Sequence, residues 1–401
     1  MAYQETTTRS YGQRLSGSLK GIVAGFLMLI IGTALLFWNE GNFVKTQKAL
    51  NEAESVLVKV DDVSKLNSEL EGKLIHGVSK ALTTDTLRDG MFDVCVNAVN
   101  LSREVEYYQW VENSKTETRD KIGGGEETIT TYTYKKEWVN KPENSSNFHD
   151  PSYQSSNKVL TTIEGKTQIA DKVTWGGYEL PTFIKNAISG DKPATIELSE
   201  TTKAEWKKVL QPSFASSNTM QDSIEYLYVS NNTVYLGRNP NVPSIGDVRV
   251  TITYIPPCGD LSIIAQVQGN TFTQYIAKNG KGVSSIQNGV AYAEQMFASE
   301  HQSNSIWTWV LRVLGVFLVI GGLRAMFSIL PTLFKVLPFL GNIVGAGVGL
   351  VCFVFGLVWS FVVIAIAWLF YRPLIGILFL VLAGVGIWFL RKKSKGKKAG
   401  T

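Results

Sequence analysis

From residue 306 to residue 390 the chain is almost continuously apolar, and no acidic residue follows Glu300. A bilayer asks for about 20 predominantly apolar residues per helical span, at ~1.5 Å of rise each. Three spans are read here: residues 306–323, the uncharged run 339–370, and 374–390. An amphipathic connector, residues 324–338, separates the first two. Tyr371-Arg372-Pro373 turns the chain before the last, because proline disfavours helix in the residue before it. A fourth apolar run, residues 21–38, has no charge between Lys20 and Glu40. It ends in Phe37-Trp38-Asn39-Glu40 and not in a small-residue cleavage site, so it reads as a retained anchor and not a signal peptide.

The charges set the expected topology. The overall +5 averages unlike regions: residues 41–305 hold 26 Lys and Arg against 32 Asp and Glu, while residues 306–401 hold ten basic and no acidic residues. The N-terminus (residues 1–20) and the tail (391–401) are both net basic, which places both in the cytoplasm by the positive-inside rule. An even number of spans follows, so the run 339–370 counts once and the total is four. Arg324 and Lys335 then lie inside, and Arg372 marks the outer turn. The fold class expected is an α+β membrane protein: four transmembrane helices, one N-terminal and three C-terminal, flanking a large β-rich non-cytoplasmic domain, residues 39–305.

Within that domain the dominant period is two. Val248, Val250, Ile252 and Tyr254 share one face of a strand, and Leu261, Ile263, Ala265 and Val267 repeat the pattern. Val105, Tyr107, Gln109 and Val111 form a third, and Gly123-Gly124-Gly125 suits a hairpin loop before the Thr- and Tyr-rich residues 128–139. Residues 42–54 and 287–305 continue the neighbouring spans as helix. A further helix is expected near 202–210, with Thr202 and Glu205 as a capping box.

No motif carries chemistry. His76, His149 and His301 lie far apart, without metal-ligand spacing. Gly123–Gly125 lacks the Lys-Ser/Thr and helix of a phosphate loop. Cys95, Cys258 and Cys352 have no base beside them; an oxidising compartment would allow Cys95 and Cys258 to pair. The expectation is no enzyme, no cofactor, no metal and no nucleic-acid partner. The informative residues lie in the spans. Gly341, Gly345 and Gly349 form one small-residue face, which Gly25 and Gly32, one heptad apart, are placed to receive. Arg312, the only charge inside the spans, is expected to snorkel outward. Trp38, Tyr371 and Arg372 are interfacial anchors. The tail residues Arg391, Lys392, Lys393, Lys395, Lys397 and Lys398 serve either as anionic-lipid contacts or as a topology signal alone. A conductance would need a polar stripe, for which only Asn342, Trp359, Ser360 and Arg312 are available.

Several stretches together resemble the transmembrane protein 43 family, also called LUMA. They are NEGNFVKT after the first span, EGKLIHGVSKAL (71–82), REVEYYQWVE (103–112), YTYKKEW (132–138), IGDVRVTITY (245–254), HQSNSIWTWVLRVLG (301–315) and WLFYRPL (368–374). The resemblance implies one N-terminal and three C-terminal membrane helices around a large lumenal domain. It implies a scaffold that organises membrane protein complexes and self-associates. Lamin- and emerin-type partners and the endoplasmic reticulum or inner nuclear membrane apply to animal members, and the inner membrane to bacterial ones. A passive conductance has also been proposed for the family, which supplies no catalytic residues. Membrane lipids, other membrane proteins and further copies of the chain are the expected partners.

Overall fold

The apolar run at residues 21–38 is the middle of a much longer helix. The computed structural model describes residues 3–214 and 226–373, and in it a short strand, β1 (Tyr3–Arg9), leads into α1 (Tyr11–Val56). Ser10 caps α1: its hydroxyl accepts from the Gln13 N–H, and the Gln13 side chain accepts from the Ser10 N–H. No proline interrupts the next 46 residues, so the helix passes unbroken from the apolar zone into the domain.

The domain is built on two mostly antiparallel sheets. Its long strands are β2 (Leu74–Leu82), β3 (Asn100–Asp120), β4 (Glu126–Val139), β5 (Val248–Ile255) and β6 (Cys258–Gln268). Among the described residues, one sheet runs in the order β1, β4, β3, β5, Thr233–Leu236, Leu227–Ser230. Its alternation is as expected: Val248, Val250 and Ile252 are buried with Leu101, Val105 and Tyr107. The other sheet centres on β2 and β6. Here the alternation fails, because β6 is covered on both faces and Leu261, Ser262, Ile263, Ile264 and Ala265 are all buried. Ile264 and Leu74 pack on Ala49, Leu50 and Ala53 of α1. The helix expected near 202–210 is α2 (Glu200–Phe214), and its first turn bonds to Ser199, whose hydroxyl accepts from the Thr202 N–H.

The chain returns through α3 (Ala293–Met326), turns in α4 (Ile329–Phe334), and rises again in α5 (Pro338–Tyr371). Among the described residues α1, α3 and α5 are the helices long and apolar enough to cross a membrane. Phe26, Leu27, Val313, Phe317, Phe353 and Phe355 point outward from the bundle, as a lipid-facing surface requires. The span expected at 374–390 and the basic tail lie outside the described residues.

The hairpin β3–β4 departs from the expected partition, which put residues 1–20 and 39–305 on opposite sides. Its strands pair from Tyr107↔Val139 to Asp120↔Glu126, and β1 adds to it from Tyr3↔Tyr132 to Arg9↔Glu126. At its tip the buried Arg14 pairs with Asp120 at 2.7 Å and Glu126 at 3.2 Å, and Lys335 reaches Asp120 at 3.1 Å. The tip therefore stands beside the N-terminus of α1. From Gln109 to Asp120 the strand covers ~36 Å at ~3.3 Å per residue, and Arg14 to Glu40 covers ~39 Å of helix. The two lengths match. This arm carries Lys115, Glu117 and Arg119 on one face and Ser114, Thr116 and Thr118 on the other. Hydrocarbon satisfies neither those side chains nor an open strand edge. Charge counting carries no information on such a contact, because it treats each loop as a whole, whereas the pairing of residues 3–9 with 126–132 is non-local.

Candidate functional site

At the domain end of the apolar zone, α1 places Asn39 and Glu40 side by side, both fully buried. Arg312 of α3 donates to both carboxylate oxygens of Glu40, Nε to Oε1 at 2.5 Å and Nη2 to Oε2 at 2.8 Å. Trp368 of α5 donates its indole N–H to the same Oε2 at 2.8 Å. One turn before Arg312, the Thr308 carbonyl accepts from the Asn39 amide at 3.0 Å. Three helices thus meet on one carboxylate. Arg312 does not snorkel, as its isolation in the sequence suggested. Its side chain is 15% exposed and lies over the Trp309 ring at 4.8 Å, held by a planar two-bond fork. The error came from assigning Glu40 to the water beyond the span; the two residues are 272 positions apart and adjacent in space.

The same level is ringed by aromatics. Tyr371 lies against Gly41, where a Cβ would come within 2.5 Å of the ring. Phe37 packs on Phe370 and Tyr371, and Arg372 stacks over Phe43 at 4.8 Å. Trp38, Trp307 and Trp309 face outward, as interfacial anchors do. Above them the domain docks on α1. Lys281 donates to the Asn42 side chain, Asn279 to the Lys45 carbonyl, and Tyr275 to Glu52. The stretches NEGN, IWTWVLR and WLFYR, scattered in the chain, converge here.

The glycines do not pair as expected. Gly25 and Gly32 receive α3, not the Gly341 face of α5. A Cβ on Gly25 would lie 2.5 Å from the Gly322 carbonyl oxygen, and one on Gly32 would lie 2.9 Å from Leu318. Gly315 and Gly322 answer from α3, also a heptad apart, so the backbones of α1 and α3 approach closely. On α5, Gly341 adjoins Lys335, a Cβ on Gly345 would meet only Pro331 at 3.5 Å, and Gly349 faces Arg324 at 3.9 Å. The tight glycine contact of α5 with α3 is Gly356 on Ile320. It lies one heptad beyond Gly349, a signal that the four-residue spacing concealed.

Ionisable groups in the domain serve as ties. Arg103 holds both oxygens of the buried Asp89. Burial pushes the Asp247 carboxyl up, against hydrogen bonds from the Tyr235 hydroxyl and the Ser244 N–H. Burial also acts to raise Glu112, but the Tyr134 hydroxyl at 2.6 Å and the His149 N–H at 2.7 Å outweigh it and hold the carboxyl low. Tyr134 is pushed up to about 12 by burial and by Glu112. His76 bonds the Ala291 carbonyl, far from His149. Cys95 is an exposed free thiol and Cys352 a buried one. Among the described residues no three His, Cys, Asp or Glu are grouped to hold a metal. The lysines and arginine of the tail lie outside the described residues.

A family model described as Transmembrane protein 43 matches residues 107–373. Transmembrane protein 43 of Pongo abelii is 30% identical over 397 residues, 96% of this chain and 93% of that protein. That of Rattus norvegicus is 29% identical over 395 residues, with the same coverage. The Transmembrane protein 43 homolog of Drosophila melanogaster is 27% identical over 379 residues, 92% of this chain and 93% of that protein. No solved structure matches.

Proposed function

The chain belongs to the transmembrane protein 43 family, and we propose that it is a multi-pass membrane organiser. Its domain gathers membrane proteins or further copies of itself, and its helices hold that domain at a set height and angle over the bilayer. The observation that carries this reading is the continuity of α1 and α3. Both run without a break from the apolar zone into the core, where Ala53 of α1 meets Met296 and Phe297 of α3 beneath Leu74 and Ile264. The knot on Glu40 clamps them where they leave the apolar zone. A rigid mount of this kind suits a platform, since a partner bound to the domain then keeps a fixed position relative to the membrane.

The four-span count belongs to the same proposal. Because α5 ends at the domain end, with Arg372 over Phe43, a span at 374–390 would return the basic tail to the opposite end. A conductance is less well supported. Of the polar groups available for it, Arg312 is bound to Glu40, Trp359 donates to Thr33, and Ser360 donates to the Gly356 carbonyl.

Cross-linking of the full-length protein in its native membrane, followed by identification of the products, tests the reading. Homo-oligomers or a recurrent set of membrane-protein neighbours are expected. A protein that stays monomeric and without neighbours would refute it.

A further inference from the structure

At the other end of the bundle, α3, α4 and the start of α5 enclose a cavity of about 450 Å³. It is lined by Arg324, Ser328, Thr332, Lys335 and Asn342, and by Gly341 and Gly345. No acidic residue lines it. Asp120 at the tip of the arm meets Lys335 from outside, whereas Arg324 is exposed and in no ion pair among the described residues. The first turn of α5 adds to the same field. It holds no acidic residue and its N-cap Leu337 gives no side-chain bond, so no side chain of that turn offsets the positive end of the 34-residue helix. Arg324 closes the apolar run of α3 and Asn342 stands near the start of that of α5, which puts the cavity at headgroup level. Leu330, Leu333, Phe339, Leu340 and Ile343 are exposed on the same elements.

We infer that this cavity binds the phosphate of an anionic phospholipid. The Arg324 guanidinium and the Lys335 ammonium meet the phosphate oxygens, Asn342 donates its amide, and the exposed leucines and Ile343 lie along the acyl chains. The same phosphate chemistry is offered by a soluble phosphate, but the apolar flank and the headgroup depth favour the lipid. The inference goes beyond the organiser reading: a chain that failed to self-associate would still bind lipid here.

The test uses the full-length protein in neutral detergent, with its thermal midpoint followed during titration. Phosphatidylglycerol, phosphatidylcholine and inorganic phosphate are the three additives. Phosphatidylglycerol is expected to raise the midpoint saturably and the other two to leave it unchanged. Arg324→Gln should weaken the apparent affinity about tenfold, the loss of one charged hydrogen-bonding partner. Gly345→Leu, which fills the cavity, should abolish the shift while leaving the lipid-free midpoint near that of the parent. A variant with Lys392, Lys393, Lys395, Lys397 and Lys398 changed to Gln should keep it. An equal shift with inorganic phosphate would overturn the lipid assignment. Loss of the shift in the tail variant with retention in Arg324→Gln and Gly345→Leu would overturn the site.

Discussion

The two ends of the helix bundle solve opposite problems. At the domain end a carboxylate and a guanidinium are withdrawn from water together, and Trp368 adds a third hydrogen bond to the carboxylate. At the N-terminal end Arg324 and Lys335 stand around an open cavity with an uncapped helix above it. A buried charge tolerates no missing partner, whereas an exposed one tolerates exchange. The domain end is therefore the fixed part of the molecule, and the other end is the part able to accept something from outside.

The largest effect should come from breaking the knot. Glu40→Ala leaves Arg312 buried and unpaired, and unfolding in detergent should show a loss of about 3–5 kcal/mol. The double replacement Glu40→Leu with Arg312→Met should recover most of it. If the double variant is no better than the single one, packing and not charge holds the junction.

Next come the glycines, which separate the packed seam of α1 and α3 from the open cavity by size alone. Gly322→Leu forces a side chain against the backbone of α1 and should cost on the order of 1–3 kcal/mol or more. Gly345→Leu meets only Pro331, at ordinary contact distance beside the cavity, and should change the stability by no more than about 0.5 kcal/mol. Equal effects at the two positions would erase the contrast.

The arm can be tested without unfolding anything. Thr7 lies opposite Thr128, so Thr7→Cys with Thr128→Cys should form a disulfide in membranes. A mismatched pair such as Thr7→Cys with Lys141→Cys should not. Failure of the matched pair would detach β1 from the hairpin and restore the partition read from charge.

The smallest effect concerns pH. Burial acts to raise the Asp120 carboxyl, but Lys335 and Arg14 outweigh it and hold it below the ordinary value. A lowered pKa contributes stability that is present above the ordinary Asp range and lost as pH falls through the lowered value. The midpoint difference between the parent and Asp120→Asn should therefore persist at neutral pH and vanish in strong acid. A difference that did not change with pH would assign the contact to packing.

Much of the fold was legible beforehand. The three described spans, the strand at residues 248–255 and the turn at Gly123–Gly125 follow from local pattern, because hydropathy and period depend on neighbours in the chain. The candidate site was legible only as fragments. Trp38, Tyr371 and Arg372 were marked as interfacial, while Glu40 was read as the polar end of a span and Arg312 as a lone charge. Heptad-spaced glycines were visible on α1, yet their partners on α3 were not.

What the sequence alone determined is the solvent of each segment: transfer of apolar side chains from water depends on what the residues are, and so it can be read in order along the chain. Partnership was decided by the tertiary structure. Glu40 needed Arg312 and Trp368, Gly25 needed Gly322, and Tyr3–Arg9 needed β4. Each of those contacts depends on a distance of a few ångströms between residues more than a hundred positions apart, and sequence spacing carries no measure of that distance.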